Sequence, residues 1–508
     1  MSVHAMATDA EARPGPAVLV VGGGPSGLGT ASMLAQRGYK NITLLEKRDV
    51  ADFYEPNKSF SYSIDSRGQH TLEAIGALDR VVEQSVPSTE FRLRYFFADK
   101  TTKEVNSNLR AQKNVKTNYW LPRRRFNRAL FDHVTGDAAR HPEGAIDVRL
   151  GWSCSRLAPT GPGGALEAVL EGPDGEQERV VPAMVVACDG LGSGVRDSMA
   201  ETYPGEFEVK QLPSPSSGLR FKVLSVPSNF ALRNFGVEET SPEEAIVLPG
   251  TGKGRNAVRL GFLPQKDREG PRTCNIVAKP DCNVFNCKTG EEAFAFFEQH
   301  VPQFPARDVV DPDVMDAFAR SDGGRFPTPQ YCETIGKVHR VGSGADASRP
   351  AQAVFLLGDA AHAFPPDIGQ GVNAALDDVG ALAAALDTAK DDLARAAEIY
   401  QERHAPNAKA LVHIAQIGAP YQYRQSKAGY NLWLMRVVLR MLLHKVLPFL
   451  VSAPAMYILQ GPRKSYREIW EEAERGTRAM KAMGVALAVA ALAVAWRVLR
   501  PAAGLAPA

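Results

Sequence analysis

The sequence predicts an α/β fold: a parallel β-sheet of Rossmann type with an inserted β-rich domain and a helical, membrane-associated C-terminal tail. Three observations predict it. Short apolar runs occupy residues 17–22, 184–187 and 353–357, the composition shifts toward proline and glycine over residues 214–326, and an unbroken apolar run covers residues 482–496. Continuous short apolar runs are typical of strands that are buried on both faces of a parallel sheet.

Length, charge and cysteine content exclude several classes of protein. The chain has 508 residues, which suggests about three domains. Its 59 Lys and Arg residues nearly balance 57 Asp and Glu residues, for a net charge of +2, so we expect no nucleic-acid partner. The six cysteines are too few for a disulfide scaffold and include no C-x-x-C pair, so we assign no metal site.

The first β-α-β unit carries a glycine-rich turn. We predict a strand at residues 17–22, a helix at 28–37 and a second strand at 42–46, and the turn after the first strand reads G-x-G-x-x-G. Glycine lets the backbone approach a pyrophosphate closely, and the following helix directs free N–H groups at it. Glu46 stands about twenty residues downstream, where a carboxylate accepts ribose hydroxyls. The residues we assign to this dinucleotide site are Gly22, Gly24, Ser26, Gly27, Glu46 and Arg48.

Two later motifs each place an aspartate directly after a buried strand. Asp189 opens D-G-x-x-S-x-V-R, and Asp359 lies in G-D-A-A-H, ahead of a glycine loop that opens a helix near Asn373. Either aspartate alone is typical of a helix cap. Because the carboxyl ends of parallel strands meet at one edge of a sheet, we expect both to accept hydroxyl groups of one extended cofactor.

Together the three motifs resemble the fingerprint of single-component FAD-dependent monooxygenases, the para-hydroxybenzoate hydroxylase superfamily. The resemblance implies an FAD-binding domain of glutathione reductase type, with Asp359 on the ribityl chain and Arg123 near the cofactor. It implies that Gly371, Val372 and Asn373 offer main chain to the isoalloxazine. We assign Pro366, in the loop beside the flavin, and Asn373 as catalytic.

Several further segments are similar to kynurenine 3-monooxygenases, over about residues 15–499. This resemblance implies hydroxylation of a small aromatic, kynurenine-like substrate with NADPH and O₂, through a flavin C4a-hydroperoxide. Arg94 matches the place of the arginine that grips the substrate carboxylate in that class. The tyrosines of the same grip are missing from residues 106–109 and 417–419, so the sequence leaves the substrate open, as it does the oligomeric state.

Composition and motifs divide the chain into five parts. The segments are a flexible N-terminus at 1–16, an FAD-binding domain at 17–213 and 327–405 with substrate-facing strands near 60–120, a β-rich substrate domain at 214–326, a helical region at 406–478, and a transmembrane tail anchor at 479–499.

The C-terminal region predicts contact with a membrane. The apolar tail is flanked by basic residues that can extend toward the headgroups. Residues 430–447 place Arg436, Arg440 and His444 on one helical stripe, which indicates either an interfacial helix or a core helix. We expect a membrane-bound protein with its catalytic domain facing the cytosol. The resemblance implies that the protein is located in the mitochondrial outer membrane, and location in another organelle is the alternative.

Two other functions fit the same fold. One is an FAD-dependent oxidoreductase that acts on a lipid or isoprenoid, and the other is a catalytically silent, membrane-anchored flavoprotein. Substrate-stimulated oxidation of NADPH separates both from a monooxygenase.

Overall fold

The computed structural model describes residues 16–51, 60–89, 91–107, 117–136, 144–342, 351–459 and 464–499. Apart from residue 16, the predicted N-terminal segment lies outside these ranges. The strands are β1 (Val18–Val21), β2 (Ile42–Glu46), β3 (Ser61–Ile64), β4 (Val86–Ser88), β5 (Phe91–Phe96), β6 (Thr102–Ser107), β7 (Asn118–Pro122), β8 (Ile146–Leu150), β9 (Ser153–Pro159), β10 (Leu166–Glu171), β11 (Gln177–Val180), β12 (Met184–Ala187), β13 (Val209–Gln211), β14 (Arg220–Val226), β15 (Ala245–Pro249), β16 (Arg259–Phe262), β17 (Arg272–Ala278), β18 (Gly324–Arg325), β19 (Gln330–Cys332), β20 (Gly336–Arg340), β21 (Ala351–Leu356) and β22 (His362–Ala363). The helices are α1 (Pro25–Gln36), α2 (Ser66–Ala74), α3 (Leu78–Glu83), α4 (Arg123–Gly136), α5 (Gly194–Thr202), α6 (Gly290–His300), α7 (Ala306–Val309), α8 (Pro312–Arg320), α9 (Gly371–Ala389), α10 (Leu393–Gly418), α11 (Lys427–Val446), α12 (Ala455–Leu459) and α13 (Tyr466–Leu499).

A six-stranded sheet forms one half of the molecule. Its order is β20-β21-β12-β1-β2-β8, and all neighbours are parallel except the edge pair β20 and β21. Val18 lies between Met184 and Ile42, so the three strands end together at one edge. All four residues of β1 and of β12 are buried, because helices and a second layer cover both faces. The predicted α/β class is confirmed.

A seven-stranded sheet forms the other half, in the order β18-β14-β17-β16-β15-β5-β6. Two of its strands, β5 and β6, come from residues 91–107 and not from the 214–326 segment, and β5 joins β15 in parallel. One face packs on α6 and α8 through a core that includes Phe262, Phe297 and Phe318. The other face is left open toward the six-stranded sheet.

Helix α10 runs much further than the sequence predicts. Periodicity indicates a helix at residues 391–402, whereas the structure has 26 helical residues that continue through Pro406. Proline inside a helix costs about 3 kcal/mol. Packing of buried Tyr400 and Leu411 against β21 and the C-terminal helices offsets this cost.

Helix α11 turns two of the three residues of the predicted basic stripe inward. Arg440 donates to the Ser452 carbonyl at 2.9 Å and to the Ala473 carbonyl at 2.7 Å, and His444 bonds the Val451 carbonyl at 2.8 Å. Arg440 therefore joins α11 to α13, whereas Arg436 is exposed. The outer surface is apolar, with Met435, Leu442 and Val446 all more than half exposed.

Candidate functional site

The glycine-rich turn joins β1 to α1 and has no room for side chains at two positions. Gly22 has φ +106°, and a Cβ on it would stand 2.3 Å from the Cys188 carbonyl oxygen. A Cβ on Gly27 would stand 1.8 Å from the Gly22 oxygen. Gly24 caps α1 and borders open space, so the first N–H groups of the helix face a cavity and can bind a pyrophosphate.

Glu46, at the end of β2, is fixed by this turn. Its carboxylate accepts the Gly23 N–H at 2.9 Å and the Arg48 N–H at 3.0 Å. The Arg48 guanidinium lies 3.4 Å from the same carboxylate. Glu46, Arg48, Gly22, Gly24 and Ser26 line one cavity, so the structure brings these predicted residues together where a ribose would lie.

Asp189 and Asp359 follow β12 and β21 at the same edge of the sheet. Asp189 accepts the Val195 N–H at 3.2 Å through one oxygen, while the other is buried without a hydrogen-bond partner in the described ranges. Burial raises the pKa of the Asp359 carboxyl, and nearby His362 and Arg123 oppose that rise. A buried acceptor that lacks a donor, such as this Asp189 oxygen, is what a hydroxyl group of a bound nucleotide would satisfy.

The cavity has a volume of about 2040 Å³ and continues from the glycine turn to the open face of the seven-stranded sheet. Most ligand pockets measure roughly 300–1,000 Å³, so this one has room for FAD and a second molecule. Arg123, Pro366, Gly371 and Val372 line its middle section, between the aspartates and the sheet. The glycine cradle, the unsatisfied acceptor and this volume fit FAD.

Asn373 does not line the cavity among the described residues, unlike its neighbours Gly371 and Val372. Its side chain is fully buried, donates to the Ser63 and Gly369 carbonyls at 2.9 and 3.2 Å, and accepts the Asp65 N–H at 3.0 Å. These bonds use both amide hydrogens and one of the two lone pairs of the oxygen. The Asn373 side chain therefore joins β3 to the turn before α9, and its catalytic role stays a prediction.

Arg94 also lies away from the cavity. Successive side chains on a strand point to opposite faces, and its neighbours Leu93 and Tyr95 line the cavity. Arg94 instead stacks over Phe96 at 5.0 Å and approaches Glu244 at 3.9 Å on the helix-covered face. This placement differs from the expected grip on a substrate carboxylate, because the sequence did not show which face of β5 is open.

A buried cluster that motif analysis missed supports the Asp359 turn. Asp378 on α9 accepts the Gly358 N–H at 2.6 Å, His362 Nε2 at 2.9 Å and His404 Nε2 at 2.6 Å. Burial alone would raise the pKa of Asp378, but the two imidazoles outweigh it and the pKa is lowered. Asp378 thus carries a buried charge that fixes the main chain next to Asp359.

Helix α13 contacts the segment that precedes α9. The Tyr466 hydroxyl donates to Gln370 Oε1 at 2.9 Å, and Gln370 Nε2 donates to Asp65 at 2.7 Å. Arg67 lies over the Tyr466 ring at 4.3 Å and bonds the Lys464 carbonyl at 2.6 Å. Sequence gave no signal for this contact, because nearly one hundred residues separate Gln370 from Tyr466.

Comparisons with known proteins agree with this geometry. A family model described as "FAD binding domain" matches residues 16–275 and 339–415. Kynurenine 3-monooxygenase of Salinispora tropica is 24% identical over 497 residues, which cover 95% of this chain and 96% of that protein. Kynurenine 3-monooxygenase of Dictyostelium discoideum is 24% identical over 71% of this chain and 68% of its own length.

Solved structures share the fold. Pseudomonas aeruginosa PqsL in complex with 2-aminobenzoylacetate aligns with TM-score 0.54 and 19% identity, over 83% of this chain and 99% of that one. Aklavinone-11 hydroxylase with FAD and aklavinone aligns with TM-score 0.56 and 20% identity, over 80% and 68%. The predicted resemblance and the predicted enzyme class, FAD-dependent monooxygenase, are confirmed. Since the matched residues cover more than half of its length, the chain belongs to the FAD binding domain family.

Proposed function

We propose that this protein hydroxylates a small aromatic substrate, with NADPH as reductant and O₂ as oxidant. The observation that carries the proposal is the single cavity. It joins the nucleotide site to a chamber on the seven-stranded sheet, where Tyr95, Trp120, Phe221 and Phe326 supply aromatic walls. Aromatic side chains favour an aromatic ring by stacked or edge contacts.

Each part of the chain has a separate task in this reaction. When bound, FAD would supply the transfer of electrons from NADPH to O₂. The α1 N-terminus, Glu46 and Asp189 would hold its nucleotide half, and Asp359 would bind the ribityl chain. The loop with Pro366 and Gly371 lines the same cavity, where it would orient the reacting ring and exclude water.

The test is oxidation of NADPH by the purified, full-length protein in detergent. We expect yellow protein whose NADPH consumption rises when an aromatic acid is added, with a product that gains one oxygen atom. Screening aromatic amino acids and related keto acids with mass detection of products identifies the substrate. Flavin-loaded protein that no aromatic compound stimulates would instead support the lipid oxidoreductase or the silent flavoprotein.

We also propose that the C-terminal region binds a membrane. In the described ranges one helix, Tyr466–Arg497, is long and apolar enough to span a bilayer, and none of its most apolar window is buried. Its first turns pack into a core through Ile469 and Ala473, whereas residues 484–496 are exposed. The exposed apolar face of α11 adds a second surface. Location in the mitochondrial outer membrane stays a prediction.

Removal of residues 479–508 is expected to release the protein from membranes washed with alkaline carbonate, because the bilayer-spanning segment is lost. The packed part of α13 is retained, so we expect flavin content to stay unchanged. Fractionation of cell membranes and the absorbance of the bound flavin measure both effects. A chain shortened only by residues 500–508 is the control and should stay in the membrane. Equal retention of both shortened chains would contradict the anchor.

A further inference from the structure

The acidic side chains that line the cavity are confined to one of its ends. All three acidic lining residues in the described ranges, Glu46, Asp189 and Asp359, lie at the nucleotide end. The far chamber is the part bounded by the seven-stranded sheet and residues 419–433. Its charged lining residues in the described ranges are all cations: Lys253, Arg259, Lys279, Arg325, Arg424 and Lys427. A water-poor chamber with one sign of charge attracts ligands of the opposite sign.

Arg259 projects into the far chamber from the sheet. On β16, Leu260 and Phe262 are fully buried in the helix-side core, so alternation directs Arg259 to the open face. Its guanidinium carbon lies 5.5 Å from the centre of the Tyr423 ring. That ring is held edge-on against Phe326 at 5.3 Å. The stacking orients the guanidinium but leaves its positive charge without a neutralising partner.

Arg424 approaches the same space from the segment between α10 and α11. Its Nη1 donates to the Gly250 carbonyl at 2.6 Å, which fixes this segment to the sheet. Desolvation, and then the like charge of Arg259, lower the pKa of Arg424. Neither guanidinium has a carboxylate within 4.0 Å among the described residues. The nearby carboxyl of Asp367 faces Gln422 and does not line the described part of the cavity.

We propose that Arg259 and Arg424 bind the carboxylate of an aromatic acid, with Tyr423 stacked against Arg259, and so select anionic substrates. This inference rests on the proposed function and names the substrate class and the residues that recognise it. Guanidinium groups bind carboxylates by paired, charge-assisted hydrogen bonds. The site uses β16 and the segment before α11, whereas Arg94 on β5 lies on the opposite face of the sheet.

The experiment measures binding by calorimetry on FAD-loaded, full-length protein. One probe is 2-aminobenzoylacetate, and the neutral probe is 2-aminoacetophenone, which has the same ring without the carboxylate. We expect Arg259→Gln to weaken binding of the carboxylate probe by about 10- to 100-fold, the effect of losing a charged hydrogen bond. Binding of the neutral probe should not change. Arg94→Gln is the matched control and should leave both affinities as they are.

Flavin content and melting temperature confirm that each variant is folded. If Arg259→Gln leaves the carboxylate probe unaffected, or if Arg94→Gln weakens it equally, the proposed site is refuted. A weaker affinity for NADP⁺ alone would mean that the cations bind a nucleotide phosphate, and this also refutes it. If the carboxylate site is refuted but the neutral ketone still stimulates NADPH oxidation, the proposed function stands. If no aromatic compound stimulates it, the proposed function itself fails.

Discussion

Asp359→Ala is expected to yield protein that is purified nearly colourless. The carboxylate stands at the carboxyl end of β21 and opens into the cavity, and the substitution removes the acceptor for the ribityl hydroxyls. Hydrogen bonds to charged groups contribute about 1.5–3 kcal/mol, so the affinity for FAD should fall by about 10- to 100-fold. The ratio of flavin absorbance to protein absorbance after gel filtration measures the loss.

Asp359→Asn is the matched control for this experiment. It keeps the shape and one acceptor oxygen, so it should retain more flavin than the alanine variant. Added FAD should restore colour to Asp359→Ala at high concentration, since the glycine turn and Asp189 are unaltered. An alanine variant that keeps stoichiometric flavin would show that Asp359 does not bind the cofactor.

Asp378→Ala is expected to have the largest effect on stability. Its carboxylate is 2% exposed and accepts two imidazoles and the Gly358 N–H. Removing one partner of a buried ionic cluster costs about 3–5 kcal/mol, because the remaining polar groups stay buried without acceptors. We expect a clear drop in melting temperature together with loss of flavin, since the freed Gly358 no longer fixes the Asp359 turn.

Asp378→Asn restores a neutral acceptor and should recover part of the stability. If alanine at this position left the melting temperature unchanged, the cluster would have no role in stability. A surface aspartate such as Asp174, in the turn between β10 and β11, provides a control substitution with no expected effect.

The same cluster predicts how stability depends on pH. Burial alone would lower the pKa of His362, but the charge of Asp378 and its hydrogen bond outweigh it, and the pKa is raised. A group with a raised folded pKa stabilises fully below its unfolded pKa, about 6.5. That contribution disappears as pH rises through the folded pKa. The melting temperature should therefore fall above pH 6.5, and the fall should be smaller in His362→Gln, which removes the titration.

The contribution of Asp378 to stability depends on pH in the opposite direction. Its folded pKa is lowered, so its contribution is complete above the unfolded pKa of about 3.9 and is lost only as pH falls through the folded value. Above pH 6.5, the pH dependence that this pair contributes therefore comes from His362. Identical pH curves for wild type and His362→Gln would exclude the imidazole as the cause.

The nucleotide side of the site could be predicted from sequence because its signals are local. Gly22, Glu46, Asp189 and Asp359 each follow a short apolar strand, and parallel strands bring their carboxyl ends together. The residues of the far chamber could not be predicted in this way. Which face of β5 is open depends on its pairing with β15, about 150 residues later in the chain, so Arg94 and Arg259 could not be told apart.

The hydrogen-bond partners of buried side chains could not be predicted from the sequence either. Asn373 lies within a recognisable motif, but its contacts with β3 come from a strand more than 300 residues earlier. His404 gives no sign in the sequence that it shares Asp378 with His362. The stripe of Arg440 and His444 was correctly predicted to lie on one helical face, but helical spacing does not tell whether a face meets protein or lipid.

The hydrogen bond between Tyr466 and Gln370 bears on how the protein would sit on a bilayer. Helix α13 has 34 residues, which makes it about 50 Å long at 1.5 Å per residue. It is continuous from Tyr466 to the end of the apolar tail. A tail joined through a loop would let the catalytic unit swivel. A continuous helix would instead hold the catalytic unit at a fixed angle and height above the bilayer. The opening of the cavity would then keep one orientation relative to the membrane.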